Sequence, residues 1–577
     1  MTMKNPETTS VSFPILWQWQ WRCFCYLSTF PHWIQTYGKV LCFGGTFADE
    51  EGKSAYAKLG LMHLFCLSGL HIAFVHAILR YVLLRLHCQR HRVIYIEAVV
   101  FIFLYVWTNG GIGIFRSSVM QLYHDVLEER EGKSNSYDAW GLALLLQLLW
   151  QPALLITSSG ILSYAMSFFA FSLPCRTSQR WKHMMLYTVW TLPFLVYFFK
   201  QVHLLTPILN LILLPIFSVV VLPILAITLL CPLPIWVNSV EVVFQSWQGI
   251  ITKLSQFHAL PLAPLNIGCL LVYMMLLLCL YRGGRMRSLK IGVLCLFVLN
   301  QWHPWGQITM IDVGQGDSLF IRAPGAYHRA CLIDCGGKVW SPSKTANATY
   351  TLIPFLKGQG VYELEHFFIT HADDDHMGDM VEVAKAVRIR HLYFSQGCEK
   401  KEIFQRRLAQ IKQLQPHIKV HPLLAPKQWQ WHGITWQLLS PTEAGQGDNN
   451  HSLVFKISTP KRSFLLTGDL EKEGEQALMQ HRIGPIDVLK VGHHGSKTAT
   501  SQAWLEVLQP KQAWVSCGKH NRFHHPHDEV IQRLNRAHIP IYRTDQFGTI
   551  HYYFIGKLEK WVPTHAKNLI IEKTSTS

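Results

Sequence analysis

The chain has 577 residues, of which 49% are hydrophobic and 12% aromatic. Only 15% are charged, against about 25% in an average soluble protein, and the formal net charge is +17 at pH 7. This composition excludes a disordered, collagen-like or coiled-coil chain, and the length predicts several structural units. The excess of positive charge favours polyanionic partners.

The first 45 residues are rich in Trp, and Arg22 interrupts their apolar run. They lack the Leu-rich core of a cleavable signal peptide, so we expect a short amino-terminal segment that is an interfacial helix or a partial span. Residues 46–302 are sparse in charge and predict a polytopic helical domain with about eight membrane spans, because several stretches reach or approach the roughly 20 apolar residues that cross a bilayer. These stretches lie near 64–86, 93–108, 139–157, 159–174, 184–200, 202–231, 265–281 and 289–302.

Two features of this half refine the prediction. Residues 201–240 contain no Asp, Glu, Lys or Arg and five prolines, which predicts broken helices packed against protein. The loop at 281–290 carries four basic residues and no acidic one, and such loops stay in the cytoplasm. One more short crossing then places everything after His303 outside. We therefore expect a multi-pass protein of the inner (cytoplasmic) membrane, with its carboxy-terminal domain on the periplasmic or outer side.

From residue 303 the pattern changes to short apolar runs with strand periodicity, interleaved with helical stretches. Strands are predicted at 307–312, 318–322, 330–334, 366–370, 435–439, 453–457, 463–467, 488–491 and 513–516, and helices at 378–387, 401–413, 472–481 and 501–509. This alternation predicts a soluble α/β or α+β sandwich of two sheets over 303–560, followed by a polar tail at 561–577.

Four residues of metal-ligand type follow the strand predicted at 366–370: His371, Asp373, Asp375 and His376. Their spacing suits a pair of ions, since two side chains can serve each of two neighbouring points. The alternative is a solvated acidic loop.

Two later strand ends favour the metal interpretation. Asp469 ends one strand with a carboxylate that can bridge two cations, and His493 and His494 end another with paired imidazoles. The mixed oxygen and nitrogen ligands predict two divalent ions, Zn²⁺ or Mn²⁺. We assign His493, together with Asp469 and the four earlier residues, to the metal.

Two metal ions about 3.5–4 Å apart stabilise both the attacking hydroxide and the leaving oxygen of a phosphodiester. Phosphodiester hydrolysis is therefore the leading interpretation, with Asp375, Lys490, His494 and His525 as candidate catalytic residues. Lys490, Lys497, Lys519 and Arg522 are candidates for holding a phosphate, and a solvated lysine face is the alternative. His525 is a candidate metal ligand, phosphate contact or proton donor, and a surface cluster of histidines at 524–527 is the equal alternative.

Polar residues inside the predicted spans are candidates for a transport path, because ionisable groups at membrane depth usually face a partner or a water-filled pathway. A Ser-Gly pair also lets another helix approach closely. For the two histidines, an interfacial position and simple helix packing are the alternatives. The candidates are His63, Ser68, Gly69, His71, Arg116 and Asn210.

Several of these motifs resemble a known family. Residues 63–72, 116–118, 162–168 and 210–215, followed by Asp312–Ser318 and the metal-ligand segments, resemble in sequence and order the ComEC family of DNA-internalisation channels. The second half resembles the metallo-β-lactamase superfamily, whose HxHxDH signature is matched at residues 371–376. Asp373 stands where that superfamily usually has His, and residues 449–452 are the best substitute for its third single His. Extra oxygen ligands shift the expected metal toward Mn²⁺ or Mg²⁺.

The resemblance implies a multi-span α-helical membrane domain followed by a metallo-β-lactamase-like sandwich of αββα layers. It implies a channel for single-stranded transforming DNA, whose exported domain degrades the non-entering strand of delivered double-stranded DNA. Membrane lipid, a DNA receptor and a cytoplasmic translocase would be partners. The family usually carries additional spans and an OB-type region before the competence domain. Only about 45 residues precede it here, by the hydropathy pattern, so we expect either that those parts are absent or that the chain is truncated.

Two other functions remain open from the sequence. The chain could be a membrane-anchored metallo-hydrolase of lipid or envelope phosphodiesters, whose spans serve only as an anchor. It could also be a channel whose carboxy-terminal domain binds DNA without catalysis. The complete set of candidate ligands speaks against the second alternative.

Overall fold

The computed structural model describes residues 15–43, 50–64, 69–108, 110–155, 157–172, 193–198, 201–203, 205–255, 259–261, 268–273, 275, 302–326, 330–337, 346–481 and 483–564. The chain divides by its internal contacts into two units, Met1–Val293 and Leu294–Ser577. Each unit has hydrophobic cores of its own.

The first unit is helical. Its α-helices are α1 Ile15–Leu27, α2 His32–Phe43, α3 Glu50–Lys58, α4 Gly69–Arg85, α5 Arg90–Trp107, α6 Ile112–Glu129, α7 Ser136–Trp150, α8 Pro152–Leu155, α9 Ser158–Ser172, α10 Thr206–Ile216, α11 Leu222–Leu230 and α12 Pro234–Leu254. A short antiparallel pair joins β1 Gln201–His203 to β2 Ala259–Pro261. Within the described part of the chain, none of the helices has both the length and the apolar character that a membrane crossing needs.

Local sequence explains where these helices begin and break. Asn135 caps α7, since its side chain accepts a hydrogen bond from the backbone N–H of Tyr137. In the proline-rich stretch, a π-helical turn at Phe217–Val221 joins α10 to α11, and the chain breaks before Pro234 starts α12. Helices therefore occur where the prolines predicted interrupted ones. The span expected at 289–302 lies almost wholly outside the described residues.

The second unit is built on two large sheets. Its strands are β3 Trp302–His303, β4 Gly306–Met310, β5 Leu319–Arg322, β6 Gly325–Ala326, β7 Ala330–Ile333, β8 Glu363–Ile369, β9 Arg388–Ser395, β10 Lys419–Leu423, β11 Lys427–Trp431, β12 Ile434–Ser440, β13 Val454–Ser458, β14 Ser463–Leu466, β15 Val488–Lys490, β16 Gln512–Val515, β17 Ile541–Arg543, β18 Ile550–Ile555 and β19 Leu558–Pro563. Eight strands form one sheet in the order β10-β9-β8-β7-β5-β4-β18-β19, and seven form the other in the order β11 to β17.

Helices flank these sheets. They are α13 Leu352–Gly358, α14 Asp374–Met377, α15 Met380–Ala386, α16 Glu402–Leu414, α17 Lys472–Met479, α18 Gln502–Leu508, α19 Asp528–Arg536 and α20 Thr544–Phe547. One core lies between the sheets around Phe368, Trp436 and Trp514. Two further cores join helices to the outer faces of the sheets. The predicted αββα sandwich is confirmed, and its last strand ends at Pro563 rather than at the expected boundary of 560.

Candidate metal centre

The predicted ligand segments meet at one end of the sandwich. His371 follows β8 of the first sheet, whereas Asp469 and His494 follow β14 and β15 of the second. Strands β7 and β8 run parallel, as do β14 and β15, so their carboxyl ends lie side by side in each sheet. Loops at the carboxyl ends of parallel strands commonly carry functional residues.

Glycines allow the loops of this end to pack against the ligand segment. Gly316 has a φ of +117°, and a Cβ there would lie 2.2 Å from the carbonyl oxygen of Asp375. A Cβ on Gly337 would lie 1.9 Å from the carbonyl oxygen of Asp374. The neighbouring Asp317 donates its backbone N–H to the Asp375 carbonyl oxygen at 3.2 Å. The glycine turns are therefore supports for the ligand loop, and they need glycine because the backbones approach so closely.

Four side chains form a compact group, which we call the metal group: the partly exposed Asp375 and the buried His376, Asp469 and His494. Their ligand atoms all lie within 4.8 Å of one another. The Oδ2 atom of Asp469 lies 3.1 Å from Nε2 of His376 and 3.2 Å from Nε2 of His494. Nε2 of His494 is also 3.3 Å from Oδ2 of Asp375. Two carboxylates and two imidazoles around one point match the ligand set of a divalent transition metal.

Oxygen atoms outside the metal group hold its two imidazoles through their Nδ1 atoms. Nδ1 of His376 lies 2.8 Å from Oδ2 of the fully buried Asp334. Nδ1 of His494 lies 3.1 Å from the carbonyl oxygen of Ser516 and 3.4 Å from Oδ1 of Asp317. Both Nε2 atoms are buried and face the carboxylates of the metal group at 3.1–3.3 Å, in a geometry that does not make a regular hydrogen bond. Ligand histidines are typically oriented in this way, so the residues present fit a bound cation.

Electrostatics inside the metal group support the same reading. Burial lowers the pKa of His376 and His494, but the Asp469 carboxylate and neighbouring aspartates outweigh burial and raise both above the ordinary value. Burial likewise opposes ionisation of Asp469, yet His376, His494 and Lys490 hold its pKa well below the usual range. The group therefore binds positive charge strongly, and a divalent cation would displace the protons from its imidazoles.

His371 and Asp373 lie beside this group. In the described part of the chain neither belongs to a set of three or more ligand atoms within 4.8 Å of one another, although Nε2 of His371 is also buried without a hydrogen bond. Nε2 of His371 is 3.6 Å from Oδ2 of Asp373, and burial, followed by the charge of His376, lowers the pKa of His371 to about 4. The other carboxylate oxygen of Asp373 is 2.7 Å from Nζ of Lys401. A lysine thus holds a residue that we expected to bind metal.

His493 was expected to bind metal and His494 to act in catalysis, and the structure places the two the other way round. His494 belongs to the metal group, whereas His493 is a quarter exposed, with Nε2 3.8 Å from Oδ2 of Asp469 and Nδ1 2.9 Å from Oε1 of Glu471. Both residues have positive φ, 46° and 54°, so the chain turns sharply between them and sends the two rings in different directions. Sequence spacing carries no signal for such a turn.

Lys490 does not face substrate. It is fully buried, forms an ion pair with Asp317, and donates to the Gly468 carbonyl oxygen at 2.7 Å. Its Nζ atom is 3.5 Å from Oδ1 of Asp469. The expectation that it holds a phosphate is therefore corrected. Its ammonium instead stabilises the carboxylate of Asp469. Asp317 and Asp334, which complete this support, were visible in the sequence only as carboxylates next to glycine turns.

The substitute for a missing third histidine is not found at residues 449–452. Nδ1 of His451 lies 2.6 Å from Oδ1 of Asp448 at the surface. Asn450 accepts backbone hydrogen bonds from Glu471 and Gly474. This segment anchors a loop and supplies no ligand.

His525 lies at the mouth of the site. Its ring stacks on that of His494 with centroids 6.2 Å apart and an interplanar angle of 25°. Burial, followed by the charges of His494 and His493, lowers its pKa to about 4. Among the described residues its Nδ1 atom has no hydrogen-bond partner.

The candidates for a transport path are only partly visible. Ser68 and the side chains of His63 and His71 lie outside the described part of the structure, and Gly69 is the first residue of α4. Arg116 on α6 donates from Nε to the Ser163 hydroxyl at 3.1 Å.

A buried polar cluster in the first unit was missed by sequence reasoning. We call it the helical cluster: His76 and Arg80 on α4, Glu97 on α5, and Asp125 on α6. Nδ1 of His76 lies 3.1 Å from Oε1 of Glu97 and 3.6 Å from Oδ2 of Asp125. Arg80 contacts Oδ1 of Asp125 at 2.6 Å. Its residues are far apart in sequence, on three helices, so no local spacing could reveal it.

Comparison with known proteins gives two family matches. Residues 41–287 match the family described as "Competence protein", and residues 311–520 match the "Metallo-beta-lactamase superfamily". The second match includes every residue of the metal group.

Whole-length comparison finds curated relatives. The chain is 31% identical over 564 residues to ComE operon protein 3 of Bacillus subtilis (strain 168), covering 89% of this chain and 70% of that protein. It is 27% identical to Competence protein ComA of Neisseria gonorrhoeae, covering 86% and 71% of the two chains. It is 31% identical to Recombination protein 2 of Haemophilus influenzae over 50% of this chain and 35% of that protein.

Proposed function

The chain belongs to the ComEC family of competence proteins, and from this premise we propose that it serves DNA uptake with a carboxy-terminal unit that is a divalent-metal-dependent phosphodiesterase. The observation that carries the enzymatic part is the metal group: three buried ligands and the partly exposed Asp375, with two imidazoles that are anchored at Nδ1 and present Nε2 to the carboxylates. A domain that only bound DNA would have no need to gather carboxylates and imidazoles in its interior at this cost.

Membership of this family also supports a role in DNA transport for the first unit. We propose that it forms the conduit for a single DNA strand in the inner membrane, with the second unit outside acting on the other strand. The positive loop at 281–290 supports this orientation. A DNA receptor and a cytoplasmic translocase are the partners that such a conduit requires.

Residues of the second unit have distinct tasks in this proposal. Asp375, His376, Asp469 and His494 would hold a cation, which when bound supplies Lewis-acid chemistry at a phosphodiester and activates water. His493 lies a quarter exposed beside Asp469, where it can pass a proton between solvent and the site.

Asp317 and Asp334 keep the ligand imidazoles in position from behind. Lys490 keeps Asp469 in position in the same way.

The test uses the purified full chain in detergent with Mn²⁺ or Zn²⁺, offered single-stranded DNA, duplex DNA and a glycerophosphodiester. We expect DNA cleavage that chelation abolishes. Asp469→Asn should lower both metal content and cleavage by at least about a hundredfold, since losing only a supporting residue of a metal site costs about 10- to 100-fold.

Asp448→Asn is the matched control, because Asp448 is exposed and its side chain accepts hydrogen bonds from His451 at the surface, away from the metal group. It should leave both quantities unchanged. Full cleavage by the Asp469 variant would remove the metal group from the reaction. Cleavage of the glycerophosphodiester but not of DNA would replace the proposal with a lipid or envelope hydrolase.

A further inference from the structure

A basic, aromatic loop borders the metal group, and its role depends on the proposed function of that site. Residues 518–527 contain Lys519, Arg522 and four histidines but no Asp or Glu. Arg522, Phe523 and His524 are exposed. A surface of this charge next to a phosphodiesterase site is complementary to the backbone of a nucleic acid.

Three flat groups of this loop form a continuous stack that begins at a ligand of the metal group. The His525 ring lies on the His494 ring, and the Phe523 ring lies on His525 with centroids 5.7 Å apart and an interplanar angle of 23°. The Arg522 guanidinium sits 4.6 Å from the centre of the Phe523 ring. Because Phe523 is 38% exposed, the outer part of the stack is open to solvent.

The loop is held in place rather than free to collapse. The side chain of Asn521 donates to the carbonyl oxygens of Gly518 and His525 and accepts from the backbone N–H of His525. The backbone N–H of His527 donates to the carbonyl oxygen of Gly495 at 2.9 Å. A Cβ on Gly495 would lie 2.5 Å from Cβ of Pro526, so the loop packs directly on the turn that carries His494.

We propose that this loop binds an unpaired nucleotide strand. A base takes the place over Phe523 that the Arg522 guanidinium occupies in the free protein, and the released Arg522 and Lys519 hold the adjoining phosphates. Aromatic faces bind single strands because an unpaired base exposes its π-face, whereas a paired base is already stacked on its neighbours. Arginine beside the ring adds its charge to the same surface. The carboxy-terminal unit would therefore act on single-stranded or locally opened DNA in preference to intact duplex.

The test measures binding of fluorescent oligonucleotides to the full chain without metal, so that the strand is not cut. The probes are a thymidine 12-mer, the same strand with abasic sites, and a 12-base-pair duplex. Wild type should bind the thymidine strand more tightly than either other probe. Phe523→Ala should weaken binding of the thymidine strand by about tenfold, within the range of alanine substitutions at stacking aromatics, and leave the abasic strand unaffected.

Two further variants keep the result interpretable. Phe523→Trp should restore binding, because indole also offers a stacking face. Leu558→Ala removes an even more exposed apolar side chain on β19, at the edge of the first sheet, and should change nothing. Equal wild-type affinity for the thymidine and abasic strands, or no loss in Phe523→Ala, would overturn the stacking proposal while leaving the phosphodiesterase intact. A wild type that bound none of the three probes would contradict the proposed function itself.

Discussion

The metal group and the helical cluster are both buried sets of carboxylates and imidazoles, but they balance their charge differently. In the helical cluster, Glu97 and Asp125 are accompanied by Arg80, which contacts Asp125 directly. Four buried or nearly buried carboxylates lie around the metal group: Asp317, Asp334, Asp375 and Asp469. They face one ammonium, that of Lys490, and the two imidazoles, whose pKa they raise. The first cluster holds a permanent cation of its own, whereas the second balances much of its charge with protons that a divalent cation can replace.

The orientation of the histidines teaches the same lesson. His76 places Nε2 3.2 Å from the Gln121 amide nitrogen, which assigns an acceptor role to Nε2 and leaves the proton on Nδ1, facing Glu97. His376 and His494 instead use Nδ1 for a supporting carboxylate or carbonyl oxygen and turn Nε2 toward the carboxylates of the metal group. In the helical cluster the ring points its Nδ1 proton at Glu97, whereas in the metal group both rings present Nε2, the atom that a metal would bind, to the same carboxylates.

Removing the internal cation should break the helical cluster. Arg80→Met leaves Asp125 buried beside Glu97 without its partner, and we expect the free energy of unfolding to fall by about 3 kcal/mol, as for other broken buried pairs. Thermal unfolding of the full chain in detergent measures this effect. Metal content should not change.

Arg90→Met is the control, because Arg90 and its partner Glu128 are both more than half exposed and lie 3.8 Å apart. Exposed pairs of this kind contribute about 0–1 kcal/mol. If both variants lost a similar free energy of unfolding, Arg80 would not compensate a buried charge. The proposed difference in charge balance between the helical cluster and the metal group would then be wrong.

We expect Lys401 to weaken the binding of a second metal ion at Asp373, next to the metal group. Its ammonium lies 2.7 Å from Oδ1 of Asp373, where it competes with any second cation for that carboxylate. Lys401→Met should therefore tighten a second metal-binding event by about tenfold, the lower end of effects from residues around metal ligands. Calorimetric titration of the metal-free full chain with Mn²⁺ measures the two events separately.

The neighbouring Lys400→Met serves as the control for that titration. Nζ of Lys400 donates to the Gly445 carbonyl oxygen at 2.9 Å, with no carboxylate involved. It should leave both affinities unchanged. If Lys401→Met also left the second affinity unchanged, Asp373 would bind metal as freely as the sequence suggested.

Much of the sandwich was predictable because its interior strands are apolar. All nine predicted strands are present, as are the four predicted helices. Some of the missed strands, such as β10 and β11, stand at sheet edges, where one face is only weakly buried and the sequence resembles a loop. Others, such as β9 and β18, lie inside the first sheet but alternate buried side chains with exposed or half-buried ones.

The site was predictable in composition but not in detail. The ligand run at 371–376 and Asp469 could be read because each follows a strand in sequence. The choice of His494 over His493 depends on two left-handed residues, and the burial of Lys490 depends on Asp317, 173 positions away along the numbering. Such choices arise only when two sheets bring distant strand ends together.

The smallest expected effect concerns a carboxylate that, like Asp125, has its own arginine but lies nearer to solvent. Arg462 grips Glu559 with Nε and a terminal nitrogen at 3.0 and 2.8 Å, and this hydrogen bonding lowers the pKa of Glu559 to about 2 from 4.5. The folded protein then binds fewer protons than the unfolded chain, so the stabilisation is full above pH 4.5 and is lost as the pH falls toward 2. Glu559→Gln should lower the free energy of unfolding by about 1 kcal/mol near pH 7 and flatten its decline at acid pH, as measured by urea unfolding at several pH values.

Glu443→Gln, in an exposed loop, is the control and should leave the pH dependence of the unfolding free energy as it is. An unchanged acid decline in Glu559→Gln would mean that Arg462 contributes packing rather than charge.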